Sequence, residues 1–177
     1  MKPKFATICA CLIILGAIEL ASKQFSAAQE SIRLPSFSEE QKVSTCPSGF
    51  VIKGIECDSS YCDNKQLQCI RYTQNFDASA NYRWSYWFSE EPPRRDFSRK
   101  EFASGLSCAG AYCDNIRIQF LNSGKILNSG QCLWVGPFSE EQGYRECPAN
   151  YYLSGIGCSG AYCDNLSLYC CRVKFGN

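Results

Sequence analysis

Hydrophobic and polar residues alternate in three separate stretches of the chain, and a short polar loop flanked by two cysteines divides each stretch. The first reads GFVIKGIEC before the loop and KQLQCIRY after it, the second EFASGLSC and NIRIQFL, and the third NYYLSGIGC and NLSLYCC. Alternation with a period of two, bounded by Gly, Asp, Asn and Ser, is typical of a strand, a tight loop and a second strand. Beyond the N-terminal region no long stretch has helical periodicity, so the pattern predicts an all-β domain.

The loop in each stretch contains the same four residues, YCDN, at a fixed interval along the chain. Aligning the copies places Cys57, Cys108 and Cys158 in register, 51 and then 50 residues apart. A second repeated word, FSEE, begins at Phe37, Phe88 and Phe138. Recurrence at a fixed interval indicates a repeated structural unit. We therefore predict a single β domain, residues 32–177, made of the repeats 32–81, 82–131 and 132–177.

The N-terminal region has the pattern of a secretory signal peptide. Lys2 and Lys4 precede the apolar run FATICACLIILGAI, which is short for a transmembrane span. We predict that residues 1–21 form the signal, with cleavage between Ala21 and Ala28, and that the mature protein is secreted and extracellular. Cleavage removes Cys9 and Cys11 from the 14 cysteines of the chain, and an even number in an oxidising compartment predicts disulfides.

The repeats also predict how the cysteines pair. The two cysteines that flank YCDN occur in every copy, which favours the local closures Cys57–Cys62, Cys108–Cys113 and Cys158–Cys163. The other predicted pairs are Cys46–Cys69 and its counterpart Cys147–Cys170. In the second repeat both members of that pair are replaced, by Phe97 and Phe120 in our alignment. Cys132 and Cys171 remain, and they form the sixth predicted disulfide.

Charge and composition exclude several classes of function. The chain has 18 Lys and Arg against 17 Asp and Glu, so it lacks the net positive charge typical of a nucleic-acid-binding protein. It contains no histidine, which excludes histidine-dependent nucleophilic catalysis and histidine-ligated zinc. The adjacent glutamates of FSEE would point to opposite faces of a strand, which does not suit paired acid and base catalysis. We predict a protein that is not an enzyme and that requires no cofactor or metal.

Three further features carry a resemblance to a known family. They are the run CPSGFVIKG from Cys46, the terminal LSLYCCRV from Leu166, and Trp84 and Trp134, each four residues before a FSEE phenylalanine. With three such units, the chain resembles the vitelline membrane outer layer protein I family. The resemblance implies a threefold pseudo-symmetric β-prism, with three sheets around one apolar core, and an extracellular, carbohydrate-related role. The short CxxxYCDN element replaces a longer acidic loop of that family, so no binding residue is carried over. A β-trefoil is the alternative fold.

The repeated polar residues are the candidate binding residues. An aromatic ring beside a carboxylate and an amide can stack on a sugar ring and hydrogen-bond to it. The predicted ligand-binding residues are Tyr61, Asp63, Asn64, Tyr112, Asp114, Asn115, Tyr162, Asp164 and Asn165. The alternative is purely structural, because Asp and Asn also suit tight turns.

The segment YRWSYWF is the densest aromatic stretch of the chain. Strand alternation would place Trp84, Tyr86 and Phe88 on one face, with Arg83 and Trp87 on the other. We therefore add Trp87 to the predicted ligand-binding residues, as an exposed aromatic platform.

These observations favour a secreted, non-enzymatic protein that binds extracellular carbohydrate or a glycosylated surface. Two alternatives remain open at this point. One is a structural protein of an extracellular coat, for which the disulfides would suffice. The other is a secreted membrane-active toxin or defence factor, whose partner would be a membrane surface.

Overall fold

The computed structural model of the protein describes residues 29–72, 81–90, 95–98, 101–122 and 127–173, and the predicted signal peptide, 1–21, lies outside these ranges. Within them, no helix has the length and apolar character needed to cross a lipid bilayer. The described strands are β1 (Ser31–Arg33), β2 (Val43–Thr45), β3 (Phe50–Asp58), β4 (Asn64–Arg71), β5 (Asn81–Trp84), β6 (Arg95–Phe97), β7 (Phe102–Ala109), β8 (Asn115–Asn122), β9 (Leu127–Phe138), β10 (Tyr144–Glu146), β11 (Tyr151–Ser159) and β12 (Asn165–Val173).

The strands form three four-stranded antiparallel sheets, one centred on each repeat. The orders are β1-β4-β3-β10 in the first sheet, β2-β7-β8-β5 in the second and β6-β11-β12-β9 in the third. The hairpins β3–β4, β7–β8 and β11–β12 lie at their centres and contain the three alternating stretches of the sequence. The predicted all-β, disulfide-rich class is therefore confirmed.

Each sheet takes one short strand from a neighbouring repeat. The strand β2 of the first repeat pairs with β7 of the second, β6 of the second pairs with β11 of the third, and β10 of the third pairs with β3 of the first. The exchange runs in a closed cycle. No repeat completes its own sheet, so the three repeats depend on one another for their edge hydrogen bonds.

A glycine in each central hairpin lies where the exchanged strand approaches. The hairpins share a register shift that precedes Gly54, Gly105 and Gly155. A Cβ atom on Gly54 would lie 2.6 Å from the carbonyl oxygen of Arg145, and one on Gly105 would lie 2.7 Å from the Cγ2 of Thr45. These distances are too short for an ordinary contact, so the exchange requires glycine at both positions.

The core lies between the three sheets. Its main cluster contains buried residues of all three repeats, including the FSEE phenylalanines Phe37, Phe88 and Phe138. A second cluster forms where the central hairpins begin, away from their YCDN loops. There the rings of Tyr72, Phe102 and Tyr152 lie 4.7 to 5.9 Å apart. Each cluster contains buried residues of all three repeats.

All six predicted disulfides are present. They are Cys46–Cys69, Cys57–Cys62, Cys108–Cys113, Cys132–Cys171, Cys147–Cys170 and Cys158–Cys163.

One detail of the alignment behind these pairs was wrong. The backbone N–H of Cys46 donates to Ser104, that of Cys147 to Lys53, and that of Ser98 to Ser154. These three acceptors occupy the same register position, so the counterpart of Cys46 in the second repeat is Ser98 and not Phe97. Phe120 does correspond to Cys69, because it pairs with Ala103 as Cys69 pairs with Ile52.

Candidate functional site

Each YCDN word forms a corner turn, a tight 3₁₀ turn that joins the two strands of its hairpin. The corner turns are Ser60–Cys62, Ala111–Cys113 and Ala161–Cys163. The φ angles of their tyrosines are 59°, 54° and 56°, and the cysteine that follows each tyrosine also has a positive φ. Left-handed geometry at two successive non-glycine residues costs on the order of 1 kcal/mol or more per residue. The disulfide that spans each corner turn holds it in this conformation.

The three corner turns meet at one end of the molecule, where their tyrosines form a single cluster. The ring centroids of Tyr61, Tyr112 and Tyr162 lie 5.1, 5.3 and 5.4 Å apart. The tyrosines are 40%, 42% and 40% exposed, respectively. We call this set the tyrosine cluster. The three repeats therefore present one composite surface.

The corner turns also contact one another, through a cysteine sulfur of one turn and a backbone carbonyl of another. The Sγ of Cys113 lies 3.2 Å from the carbonyl oxygen of Asp63, and the Sγ of Cys163 lies 3.0 Å from that of Asp114. Each of these turns therefore rests on the turn of the preceding repeat. This packing fixes the tyrosines relative to one another.

In the first two repeats, the first glutamate of FSEE reaches the corner turn of the next repeat. Glu90 accepts a hydrogen bond of 3.3 Å from the backbone N–H of Tyr162, and its other oxygen lies 3.8 Å from the Sγ of Cys163. Glu39 approaches Cys113 in the same way, at 4.0 Å. The sulfur atoms belong to disulfides, so these groups offer no thiolate to a metal. Glu39 and Glu90 therefore place a carboxylate at the second and at the third corner turn.

The Asp and Asn residues brace two of the three turns. The Nδ2 of Asn115 donates to Asp114 at 2.6 Å, and that of Asn165 donates to Asp164 at 2.5 Å. These side chains therefore stabilise the tight turns, which is the structural role that the sequence analysis gave as the alternative to ligand binding. Among the described residues, no other hydrogen bond engages the side chains of these four residues.

The first corner turn differs from the other two. The residue immediately before the first turn is Ser59, whereas Gly110 and Gly160 precede the other two turns. A Cβ atom on either glycine would lie 1.9 Å from the carboxylate of the following Asp114 or Asp164. Since Ser59 carries a Cβ, Asp63 cannot adopt the position of its counterparts.

Asp63 instead faces Glu39. Desolvation, followed by the hydrogen bond and the charge of Glu39, raises the pKa of Asp63 to about 6. One of its oxygens, Oδ1, is buried without a hydrogen-bond partner among the described residues. Among the three corner turns, the first therefore has the least favourable electrostatic environment for its aspartate.

A buried lysine lies beneath this first turn. Lys65 is fully buried, at the register position where the other repeats have Ile116 and Leu166. Its Nζ donates to the carbonyl oxygen of Cys62 at 2.5 Å. Burial lowers the pKa of Lys65 to about 8, while the nearby carboxylates of Asp63 and Glu39 oppose the shift. We did not predict Lys65 from the sequence, although its alignment with two apolar residues was a visible signal.

The aromatic segment YRWSYWF spans part of β5 and the four residues that follow it, next to β8 of the second sheet. The guanidinium of Arg117 packs between the rings of Trp84 and Trp87, at 4.7 and 4.5 Å from their centroids. Trp87 is 42% exposed and Tyr86 is 94% exposed, whereas Phe88 is buried. The predicted alternation over this segment was therefore wrong. The strand ends at Trp84, and both indoles contact the same arginine.

The chain matches no protein-family model, no curated protein and no solved structure. Functional assignment therefore depends on the residues and geometry described above.

Proposed function

We propose that the protein is a secreted, non-enzymatic β-prism that recognises extracellular carbohydrate through the tyrosine cluster. The observation that carries the proposal is the convergence of three half-exposed tyrosines on one patch, each followed two and three residues later by a carboxylate and an amide. Three phenol hydroxyls on aromatic rings provide both stacking surfaces and hydrogen-bonding groups. This combination suits a sugar better than it suits a purely apolar ligand.

The charge around the cluster narrows the class of glycan. Asp63, Asp114 and Glu90 contribute carboxylates at or beside the corner turns. Like charges across an interface cost free energy, so sulfated or sialylated glycans would be repelled. We therefore propose neutral or amino sugars as the ligands of the tyrosine cluster.

The strand exchange and the disulfides support the β-prism architecture and the extracellular compartment in this proposal. Cyclic exchange of β2, β6 and β10 between three separate four-stranded sheets favours a threefold β-prism over a β-trefoil. It is also the arrangement implied by the resemblance to the vitelline membrane outer layer protein I family. Six disulfides favour an oxidising, extracellular compartment.

The test replaces the three tyrosines together. In Y61N/Y112N/Y162N the aromatic rings are lost, while asparagine tolerates the left-handed backbone of the turns. The oxidised, signal-free protein and the variant are compared on a glycan array, with circular dichroism as the folding control. We expect at least about a tenfold loss of binding to neutral glycans. Unchanged glycan binding by the folded variant would refute the proposed site.

A second candidate function follows from Tyr86 and Trp87. Exposed Trp and Tyr side chains are typical of protein surfaces that enter the interface of a membrane. If the protein is membrane-active, it co-sediments with liposomes, and the variant Y86S/W87S does not. Y61N/Y112N/Y162N is the matched control, because it leaves the aromatic segment intact.

A further inference from the structure

The outer surface of the first sheet lacks an aromatic residue that both other sheets have. Trp84 pairs with Gln119 in the second sheet, and Trp134 pairs with Tyr169 in the third. The rings of Trp134 and Tyr169 lie 4.9 Å apart, so they cover that position. The corresponding register pair in the first sheet is Arg33 with Gln68.

A groove of about 480 Å³ occupies this position on the first sheet. Its lining includes Ser31, Gln68, Lys53 and Tyr144, which belong to β1, β4, β3 and β10 respectively. Because the four strands are hydrogen-bonded to one another, the walls of the groove are part of the rigid sheet. The volume is typical of a site for a small ligand or for a short part of a larger one.

The charges that line the groove are balanced within the protein. Arg33 forms an ion pair with Glu56. The Nζ of Lys53 donates to the carbonyl oxygens of Pro148 at 2.7 Å and Tyr151 at 3.2 Å, and the charge of Glu146 acts on it. A strongly charged ligand would therefore find no excess of opposite charge.

Neutral hydrogen-bonding groups in the groove remain available. Among the described residues, no hydrogen bond engages the side chain of Ser31 or Gln68. The hydroxyl of Tyr144 donates to Glu146 at 2.7 Å, which leaves its oxygen as an acceptor. Ile70 adds an apolar surface. Closely spaced donors and acceptors beside an aromatic ring and an aliphatic side chain match the alternating hydroxyl and C–H faces of a pyranose.

We propose that this groove is a second binding site, which takes a neutral pyranose unit of a glycan. It uses no residue of the tyrosine cluster and rests on the proposed carbohydrate recognition only for the choice of ligand class. The two sites lie on different parts of the molecule. Binding at the groove can therefore be disproved by experiment while binding at the tyrosine cluster is confirmed, and the reverse is also possible.

The experiment fills the groove with the residues that the third sheet has there. The double variant R33W/Q68Y reproduces the Trp134 and Tyr169 pair, which the same fold already accommodates. The methyl glycosides of glucose, galactose, mannose and N-acetylglucosamine are titrated into the oxidised protein, and the backbone amide of Ser31 is followed by NMR. We expect at least one glycoside to shift this amide in the wild type. We expect affinity to fall at least about tenfold in R33W/Q68Y and to stay unchanged in Y61N/Y112N/Y162N.

Q68L covers the case in which R33W/Q68Y does not fold. It removes the amide and keeps a side chain of similar length, and we expect it to weaken binding several-fold. The inference is overturned if no glycoside shifts Ser31, or if a folded groove variant binds as tightly as the wild type. Tighter binding of glucuronate than of neutral glycosides would overturn the assigned ligand class.

Discussion

Phe37 and Lys65 exchange both of their backbone hydrogen bonds, each 2.9 Å long. The same pairing joins Phe88 to Ile116, at 2.9 and 2.8 Å, and Phe138 lies opposite Leu166. The word FSEE is thus hydrogen-bonded to the residue that follows YCDN in each repeat. This pairing explains why the two words keep a fixed separation. It also places Lys65 at the buried position that Ile116 and Leu166 occupy in the other repeats.

We expect Lys65→Leu to stabilise the protein or leave its stability unchanged at neutral pH. The substitution copies Leu166, and replacing a buried charged group by an apolar residue is often neutral or stabilising by about 1–4 kcal/mol. The pKa of Lys65 is lowered on folding, from 10.5 to about 8, so native Lys65 releases its proton more readily than the unfolded chain does. Wild-type stability therefore contains a contribution that increases as the pH rises above about 8.

The measurement is chemical denaturation of the wild type and Lys65→Leu between about pH 7 and 9.5. The stability advantage of the variant should shrink as the pH rises. Lys42→Leu is the control, because that lysine is exposed to solvent. A pH-independent difference would show that Lys65 does not titrate in this range.

We expect Asp63→Asn to become more stabilising as the pH rises from about 4 to about 7. Asp63 has a folded pKa of about 6, above its ordinary value of 3.8. A raised carboxyl pKa contributes stability below pH 3.8, and this contribution is lost as the pH rises through 6. Asparagine keeps the shape and cannot ionise.

Thermal melts at the two pH values test this expectation, with Asp114→Asn as the matched control. The carboxylate of Asp114 accepts a hydrogen bond from Asn115, whereas the carboxyl group of Asp63 faces Glu39. If Asp63→Asn and Asp114→Asn show the same pH dependence, the interaction between Asp63 and Glu39 is not the source of the effect.

We expect Gly105→Ala to destabilise the protein by about 1–3 kcal/mol, the usual cost of overpacking. The added Cβ would lie 2.7 Å from the Cγ2 of Thr45 in the exchanged strand β2. Thr45→Ser removes that methyl group, so the double variant should recover part of the lost stability. Purely additive effects in urea unfolding would contradict a clash between these two residues.

The sequence predicted the repeated hairpins and the disulfides because each produces a periodic signal. Alternation marks β3 and β4, and repeated cysteines mark the corner turns. The exchanged strands have only three residues each, too few for a periodicity, so the cyclic exchange was not predicted. The assignment of Phe97 failed for the same reason.

The convergence of the three corner turns was not predicted from the sequence. Tyr61, Tyr112 and Tyr162 were selected because they repeat, but a repeat does not show whether its copies converge. That depends on the packing of three hairpins in the same direction around one core. The special character of the first turn depends on Ser59 and Lys65, whose effects arise through contacts with Asp63 and Cys62.

We expect C46S/C69F to retain more stability than C46A/C69A. The second repeat has Ser98 and Phe120 at the positions of this disulfide, and Phe120 is buried there. Loss of the crosslink over 23 residues costs on the order of 3 kcal/mol in the loop-entropy model for either variant. Phenylalanine refills the space around Cys69, whereas alanine leaves a cavity with a further cost. Differential scanning calorimetry measures the difference in melting temperature between the two variants. Mass spectrometry verifies that the other five disulfides are intact in both. Equal melting temperatures would show that the first repeat cannot adopt the packing of the second.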